Sequence, residues 1–516
     1  MDLPEIRAKV AEYLEKSQLA VASTVCKSWR NSFTPVLYSE IHLDDDTSVP
    51  NYDTILKYAK HVRAIKSKGE ISALPLEAFS QLQVLHMGLN EDDSDDDSED
   101  ESEDDSEDDS EDESDDDSGD EDDTPRTWDQ LVMVFRQNQG LTEISMTADC
   151  KIPTNVMESI MSLPTLRRLK FMSCKLGRKS TELLLNASHL ERLTLHETEF
   201  AELDSFQSRK PSTTMKALVL ADTNLGSEQQ LQWIKNYPQL QSLTCEVDKE
   251  LSCATFCKIL TNDCVIVENL FVYGEQTDEN VAKIIDSTSR LRSFRILGTD
   301  FGARSLNSCS QYFQTLTCID LRHCPTLTSI LSQKIMTSCP RLKEFRGFIL
   351  EARDILGITE GSEVTEQTRG YDSQDWVCLD LEIFSIFICG LDDKPPERQR
   401  RVLQKLVRLE NLRHLDISRH YENWEAKEDG LKLRLDAGLD ILKSLKRLEV
   451  FDFSGLSPPM EEAEIHWILN AWPMLRRVNG DLHSDFILRG SRRGELDKIL
   501  KEKSIILGNI EENLPW

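Results

Sequence analysis

Leucine and related apolar residues recur along this chain in the pattern L-x-x-L-x-L, at intervals of 24 to 27 residues. The regular copies start at residues 166, 190, 215, 240, 267, 291, 316 and 342. Weaker copies start at residues 82 and 141 before this run, and at 412, 448 and 475 after it. Each copy predicts a short strand with alternate side chains facing inward, followed by an outer helix. One such unit cannot bury its apolar side alone, so the pattern predicts a stack of strand–helix units.

The first forty residues follow helical spacing instead. An apolar stripe that includes Ile6 and Leu14 predicts a helix beginning near Pro4. A second helix, capped by Ser17, would align Leu19, Ala22, Val25, Cys26 and Trp29. Two short helices are too small to stabilise themselves, so we expect another protein to cover their apolar surface.

The regular spacing ends after residue 342. The next strand candidate starts at residue 379, so irregular units with insertions are expected there. Near the C-terminus an apolar stripe predicts one helix that caps the last unit. The side chains of this stripe are Leu496, Ile499, Leu500, Ile506 and Leu507.

The net charge of −32 is concentrated in residues 91–123, which contain 25 acidic side chains, seven serines and one glycine. Outside this segment 67 acidic residues face 60 basic ones, so the remainder is nearly neutral. A segment without apolar residues predicts a disordered insertion. Every serine has an acid three residues further on, a pattern similar to the sites of casein-kinase-type acidophilic kinases. Phosphorylation is therefore predicted at Ser94, Ser98, Ser102, Ser106, Ser110, Ser114 and Ser118; the alternative is a repeat expansion tolerated in a surface loop.

The N-terminal residues also carry a family resemblance. The order Leu3-Pro4-Glu5-Ile6, Val10, Tyr13-Leu14, Leu19, Val25-Cys26-Lys27-Ser28-Trp29-Arg30 and Pro35-x-Leu37-Tyr38 resembles an F-box. In that family the motif docks on a Skp-type adaptor, which links it to a cullin-RING ubiquitin ligase. The resemblance implies adaptor contact by Leu3, Pro4, Ile6, Val10, Leu14, Val25, Cys26 and Trp29. The alternative is that these residues only cap the following domain.

The repeats extend the resemblance. A small polar residue follows each strand and is expected to bond to the backbone there: Cys174, Thr198, Thr223, Thr299 and Cys324. Together with the Cys-Pro-x-Leu sequence at residue 339, these repeats resemble F-box and leucine-rich-repeat substrate receptors. The expected fold class is α/β, a leucine-rich-repeat solenoid (horseshoe) preceded by a small all-α F-box.

The expected domain organisation follows from these patterns. The F-box occupies 1–42, a linker and first repeat 43–90, and the acidic insertion 91–123. Regular repeats occupy 124–350, irregular repeats 351–482, and the helical cap 483–516.

Residues that alternate with the inward leucines are expected on the concave surface of the solenoid. In the regular units these positions hold basic side chains around an aromatic centre, and both residue types are enriched at binding hot spots. In the later units the same positions hold Asp416 and Asp452. We predict that an acidic or phosphorylated client segment binds Arg168, Lys170, Arg192, His196, Phe271, Tyr273, Arg295, Arg322, Arg346 and Phe348. Two alternatives stay open. The surface could be polar without binding anything, or the chain's own acidic segment could occupy it as a tethered competitor.

Motifs of catalysis are absent from the sequence: there is no P-loop, G-x-S-x-G, H-E-x-x-H or kinase motif set, so we expect neither enzyme activity nor a cofactor. Cys253, Cys257 and Cys264 lack a paired C-x-x-C and a nearby histidine, so no metal site is expected. The basic clusters are short and lack interleaved aromatics, which argues against nucleic-acid binding. No apolar run approaches 18 residues, and the 13 cysteines are sparse and odd in number. No membrane attachment and a cytoplasmic or nuclear location are therefore expected.

Two functions fit these expectations. The first is a non-catalytic substrate-recognition subunit of an SCF-type E3 ubiquitin ligase, whose F-box docks on a Skp-type adaptor and whose concave face binds an unidentified client protein. The second is an acidic leucine-rich-repeat chaperone or scaffold for histones or other basic proteins. In that class the acidic tract is a tail, whereas here it interrupts the repeats.

Overall fold

The computed structural model describes residues 4–43, 52–70, 74–89, 126–201, 211–247, 250–358, 375–391, 396–419, 430–456, 460–480, 500 and 505–507. The described chain forms two compact units, which divide between Tyr237 and Pro238. Unit 1 contains the N-terminal helices and the first repeats, and unit 2 contains the later repeats. The acidic segment 91–123, with its seven serines, lies outside the described residues.

Unit 1 begins with three helices rather than the two that the sequence predicts. These are α1 (Pro4–Ala11), α2 (Lys16–Val25) and α3 (Lys27–Leu37). The prediction of one helix through Trp29 is wrong because Cys26 is extended, with φ −159° and ψ 167°, and so ends α2 and begins α3. A small core holds the three helices together, formed by Ala11, Leu19, Ala22 and Phe33.

The remainder of unit 1 alternates strands with helices. Its strands are β1 (Glu40–Leu43), β2 (Ala64–Glu70), β3 (Val84–Leu89), β4 (Glu143–Ala148), β5 (Lys151–Ile152), β6 (Arg168–Met172), β7 (Lys175–Leu176), β8 (Arg192–His196), β9 (Glu199–Phe200) and β10 (Ala217–Ala221). Its helices are α4 (Tyr52–Tyr58), α5 (Arg126–Gln137), α6 (Thr154–Met161), α7 (Arg178–Leu185) and α8 (Ser227–Ile234). The strands β1, β2, β3, β4, β6, β8 and β10 pair in this order, all parallel. The short strands β5, β7 and β9 form a second parallel sheet.

The sheet of unit 1 starts earlier than the sequence pattern indicates. Strand β1 lies partly inside the segment assigned to the F-box, and its residue Glu40 is in register with Ala64 of β2. Neither β1 nor β2 carries the L-x-x-L-x-L pattern, which first appears at β3. The three-helix unit is therefore joined directly to the first strand of the repeat sheet.

Unit 2 has the same alternation. Its strands are β11 (Ser242–Glu246), β12 (Asn269–Tyr273), β13 (Ser293–Leu297), β14 (Cys318–His323), β15 (Glu344–Glu351), β16 (Ile383–Cys389), β17 (His414–Asp416), β18 (Val450–Asp452), β19 (Arg477–Asn479) and β20 (Ile506–Leu507). Its helices are α9 (Glu250–Asn262), α10 (Asp278–Asp286), α11 (Ala303–Cys309), α12 (Ser329–Met336), α13 (Ala352–Leu356), α14 (Pro396–Leu406) and α15 (Glu462–Ala471). All ten strands pair in chain order and in parallel. Both units are therefore α/β leucine-rich-repeat solenoids.

Two predictions about the later repeats need correction. The strand expected from residue 379 begins at Ile383, because the residues before it form a turn and Leu381 takes the first leucine position of the pattern. The C-terminal helix does not reach Ile506 and Leu507, which form β20 beside β19. Leu500 is helical and buried, whereas Leu496 and Ile499 lie outside the described residues.

Three of the five small residues after the strands bond to the backbone as predicted, whereas the Thr299 hydroxyl lies 4.0 Å from the Cys324 Sγ instead. The Cys174 Sγ lies 3.0 Å from the Met172 carbonyl oxygen, and the Thr198 hydroxyl donates to the His196 carbonyl at 3.1 Å. The Cys324 Sγ is 3.9 Å from the carbonyl of Ile296 on the preceding strand. Burial raises the pKa of the Cys174 and Cys324 thiols to about 12, so both stay protonated and act as donors. The fifth residue is Thr223, whose hydroxyl has no hydrogen-bond partner among the described residues.

Candidate protein-binding surfaces

The three N-terminal helices expose several large apolar side chains. The exposed fraction is 54% for Ile6, 46% for Val10, 62% for Val25 and 38% for Trp29. The Trp29 ring packs edge-on against Phe33 at a centroid distance of 5.3 Å, so the indole rests on the core without being enclosed by it. Exposed apolar side chains above an ordered core are typical of a surface that another protein covers.

The other predicted adaptor contacts differ in position. Leu14 is partly buried and packs against the small core, whereas Cys26 is exposed between α2 and α3. Leu3 and the side chain of Pro4 lie outside the described residues. Sequence reasoning missed Val21, which is 69% exposed on α2, one turn before Val25. The sequence signal for Val21 was its position four residues before the predicted contact Val25, because residues four apart on a helix are neighbours.

The second surface is the face of each sheet formed by the strand positions that alternate with the buried leucines, called here the open face. In unit 1 one row of register partners crosses this face: His42, Lys66, His86, Ser145, Lys170, Thr194 and Val219. The row carries bases at four of its positions and no acid. The alternation rule therefore predicts this face correctly, although the sequence interpretation did not extend it to β1–β3.

Several bases of unit 1 have acidic neighbours. The Lys66 Nζ lies 2.5 Å from a Glu40 oxygen, and this hydrogen bond lowers the pKa of the Glu40 carboxyl. The Arg168 guanidinium lies 2.6 Å from Glu143 Oε2. In contrast, Lys170 and Arg192 form no ion pair with a residue that the structure describes. These two side chains supply uncompensated positive charge on the open face of unit 1.

The remaining predicted contact in unit 1, His196, is buried with 5% of its surface exposed. Its Nε2 lies 3.3 Å from Asp222 Oδ2. Asp222 has a positive φ of 51°, as have the equivalent residues Ser173 and Glu197 at the ends of the neighbouring strands. His196 lies at the carboxyl end of β8, with Met172 and Ala221 as its register partners, and it offers little surface to a ligand.

In unit 2 the predicted arginines are compensated by acids. Glu344 accepts a hydrogen bond from Arg346 at 2.7 Å and from Arg295 at 3.1 Å. Asp320 accepts two hydrogen bonds from Arg322, at 3.0 and 2.9 Å. Both acids occupy open-face positions of their strands, Asp320 on β14 and Glu344 on β15, and neither is among the predicted contacts. The basic surface expected here is therefore a network of ion pairs.

The aromatic residues of unit 2 stay accessible. Phe271 and Tyr273 are partly exposed neighbours on β12, with ring centroids 6.1 Å apart. Phe348 on β15 is also partly exposed, whereas Arg346 is buried. An aromatic pair beside paired charges can contact a protein client through apolar area.

Further along the open face of unit 2, Asp416 of β17 and Asp452 of β18 are register partners, each 8% exposed. Asp416 accepts hydrogen bonds from the hydroxyls of Ser385 and Ser418, both at 2.5 Å. Asp452 accepts from the Ser454 hydroxyl and from Asn479 Nδ2, both at 2.9 Å. Burial, and then the neighbouring Asp416, raise the pKa of Asp452, because both disfavour its charged form.

We expect Asp452→Asn to stabilise unit 2 at neutral pH by on the order of 1 kcal/mol. The pKa of Asp452 is raised in the folded state, so the folded chain loses stability as the pH rises through this folded-state pKa. A neutral amide does not titrate and therefore avoids the loss of stability. The Asn479 amide can turn over to accept from the new residue, because its Oδ1 has no partner at present. Urea midpoints of the full chain at pH 7 and pH 4 measure the effect, which should disappear at the lower pH. Asp320→Asn is the matched control and should destabilise unit 2, because it removes the negative charge that pairs with Arg322. An Asp452→Asn variant less stable than the parent at pH 7 would contradict the prediction.

The described residues contain no group of three or more histidine, cysteine, aspartate or glutamate side chains arranged to hold a metal ion. Of the three clustered cysteines, Cys253 and Cys264 are buried, and burial raises the pKa of Cys264 to about 12. A hydrogen bond with Cys253 makes the largest contribution to lowering the pKa of Cys257 to about 7. No helix in the described ranges is long and apolar enough to span a bilayer.

Comparisons with known proteins give a short sequence similarity. No family model matches the sequence. A Schizosaccharomyces pombe protein described as "SCF E3 ubiquitin ligase complex F-box protein pof2" is 34% identical over 58 residues, which are 11% of this chain and 12% of that protein. This similarity covers a short part of both proteins and, together with the repeats described above, supports a likeness to F-box and leucine-rich-repeat proteins.

Solved structures show weaker similarity. A chain of the yeast Rad7–Elc1 complex is 12% identical to this chain. The match covers 76% of this chain and 91% of the other, with a TM-score of 0.41. An internalin from Listeria monocytogenes is also 12% identical to this chain. The match covers 70% of this chain and 80% of the internalin chain, with a TM-score of 0.31. The fold class therefore rests on the parallel strands and alternating helices of this chain itself.

Proposed function

We propose that this chain is a non-catalytic substrate-recognition subunit of an SCF-type E3 ubiquitin ligase. The observation that carries the proposal is the apolar surface of the three N-terminal helices, where Ile6, Val10, Val25 and Trp29 stay exposed above an ordered core. Covering these side chains with a Skp-type adaptor removes apolar area from water and so favours association. The printed description of the fission-yeast relative, an F-box protein of such a ligase complex, supports the same role.

The open faces of the repeats are the proposed client-binding surfaces. Lys170 and Arg192 offer positive charge in unit 1, and Phe271 and Tyr273 offer aromatic area in unit 2. Arg and aromatic side chains are over-represented among residues that dominate binding energy. His196 and Arg346 are left out of the proposed contact set because both are buried.

The chain's contribution to ubiquitin transfer is proximity. A receptor that holds a client beside the ubiquitin-loaded enzyme raises the effective concentration of client lysines. The bond-forming chemistry then belongs to partner subunits. The location that this role requires is cytoplasmic, nuclear or both.

Reconstitution tests the proposal. The purified full chain is mixed with a purified Skp-type adaptor and, separately, with histones at 150 mM salt, and complexes are separated by size-exclusion chromatography. We expect a one-to-one complex with the adaptor, and proximity labelling in cells should recover ligase subunits only when residues 1–42 are present. A stable histone complex without adaptor binding would favour the chaperone or scaffold function instead.

A further inference from the structure

A pocket with an excess of basic side chains lies on unit 1, at the amino-terminal edge of β6, β8 and β10. Seven residues line it: Thr142, Arg167, Arg168, Glu191, Arg192, Lys216 and Ala217. Four of them are basic and one is acidic. Glu191 is shared between Lys216 at 2.7 Å and Arg167 at 3.8 Å, so one carboxylate partly neutralises two cations.

The charge that remains is accessible. Arg168 and Arg192 are both exposed register partners. Arg168 is paired with Glu143 at 2.6 Å, whereas Arg192 has no acidic partner among the described residues. Lys170 lies two residues further along β6, on the same face, and is also without an acidic partner in the described ranges. The pocket and Lys170 together form a basic surface, called here the basic pocket, that suits an acidic peptide better than a single small anion.

The chain itself contains an acidic peptide, residues 91–123, that is joined to unit 1 at both of its ends. Residues 90–125 connect Leu89, the last residue of β3, to Arg126, the first residue of α5. The order β3, β4, β6, β8, β10 places the pocket strands two to four strand spacings away across the sheet, about 10 to 19 Å at ~4.8 Å per spacing. The chain leaves β3 at its carboxyl end and the pocket lies at the amino-terminal edge, so the path also runs along the strands, about 20 Å for the six residues of β3 at ~3.3 Å per residue. Residues 90–125 can span up to about 120 Å at ~3.3 Å per residue, so both ends of the segment allow contact with the pocket.

We propose that the basic pocket of unit 1 binds the chain's own acidic segment, residues 91–123, in the same molecule. Charge complementarity is the first reason, since the segment has 25 acidic side chains and no basic one. Covalent attachment is the second, because a tethered ligand has an effective concentration near the millimolar range, which populates even weak exposed ion pairs. If the proposed function holds, an acidic client must displace this segment before it can bind.

Zero-length carbodiimide cross-linking of the full chain tests the proposal directly, because it joins a lysine to a carboxylate only when the two are in contact. We expect Lys170 and Lys216 to be joined to residues 91–123 in the monomer fraction at 20 mM salt. Lys151 and Lys235 are matched controls in the same unit, exposed and without an acidic partner in the described ranges, and should be joined at least tenfold less often. The Arg192→Glu variant and 0.5 M salt should each remove most of the joined product.

A second measurement uses a fluorescent peptide of residues 91–123 as the probe. The chain without this segment should bind the peptide at least tenfold more tightly than its Arg192→Glu/Lys216→Glu variant, while a Lys151→Glu/Lys235→Glu variant should bind as the parent does. The proposal is overturned by any of three results: cross-links spread equally over control lysines, cross-links confined to dimers, or equal peptide affinity in the two charge-reversal variants. None of these results depends on adaptor binding, so failure here is distinguishable from failure of the receptor role.

Discussion

Replacing Ile6 and Val25 together by glutamate is expected to weaken binding of a Skp-type adaptor by more than about 100-fold, which corresponds to ~3 kcal/mol. Both side chains are more than half exposed in the isolated chain, so the substitution costs the free protein little. In the complex the variant loses the burial of two aliphatic side chains, at roughly 1.5–3 kcal/mol each, and places two charges in an apolar contact. Isothermal titration with the purified adaptor measures the loss.

The choice of these two residues separates binding from folding. Trp29 contacts Phe33 of the small core, so Trp29→Ala would disturb the helices as well as the surface. Met133→Glu is a suitable control, because this residue is 52% exposed on α5 and lies outside the predicted contact set. Adaptor affinity within threefold of the parent in the Ile6→Glu/Val25→Glu variant, with unchanged helix content, would remove the basis of the receptor proposal.

Much of the repeat architecture is predictable because its signal is local and repeated. The leucines at 169 and 193 recur at 24 residues, and the structure places them as register partners on β6 and β8. Period-2 alternation then assigns each remaining strand position to a face, which is why Lys170 and Arg192 were found from the sequence. The pattern fails where a repeat lacks its leucines, as in β1 and β2, whose pairing is decided by contacts between neighbouring strands. It also misplaces the start of β16 and assigns the residues of β20 to a helix.

The break at Cys26 shows the limit of local patterns. No glycine or proline marks the end of α2, and the apolar spacing through Trp29 fits one continuous helix. The extended conformation of Cys26 lets α2 and α3 pack on each other, so that Leu19 and Ala22 share a core with Phe33. Tertiary packing decides where α2 ends, and the spacing of apolar residues along one helix contains no information about that packing.

The electrostatics of the candidate site could be predicted only in part. Counting bases along the strands identified Arg295, Arg322 and Arg346, but their charge is cancelled by Asp320 and Glu344 on adjacent open-face positions. Whether an arginine is available to a ligand depends on pairing across strands, which requires the register. The register also shows that the uncompensated bases lie in unit 1, nearer in sequence to the acidic segment than the arginines of unit 2.

Substituting Asn138 by alanine is expected to destabilise the repeat that contains β3 and α5 by about 3 kcal/mol. Asn138 is buried directly after α5, where its Oδ1 accepts a hydrogen bond from the Leu82 N–H at 2.8 Å. Its Nδ2 donates to the carbonyls of Phe79 and Val134, both at 2.9 Å. Alanine removes the partner of the Leu82 N–H and of the Phe79 carbonyl, at roughly 1–3 kcal/mol for each that stays buried. The Val134 carbonyl keeps the residue-138 backbone N–H, at 2.9 Å in the parent chain.

This side chain is a buried polar link between the residues before the acidic segment and those after it, which the pairing of β3 with β4 also joins, so the loss should be local. Hydrogen exchange by mass spectrometry should show about 100-fold faster exchange in peptides covering 79–89 and 126–148, since ~2.7 kcal/mol corresponds to that factor. Peptides from unit 2 should exchange as in the parent chain. Asn155→Ala, at an exposed position on α6, provides the control and should change stability by no more than about 0.5 kcal/mol. Unchanged exchange around residue 138 would mean that leucine packing, including Leu82 and Leu85, holds the two chain segments together without the amide.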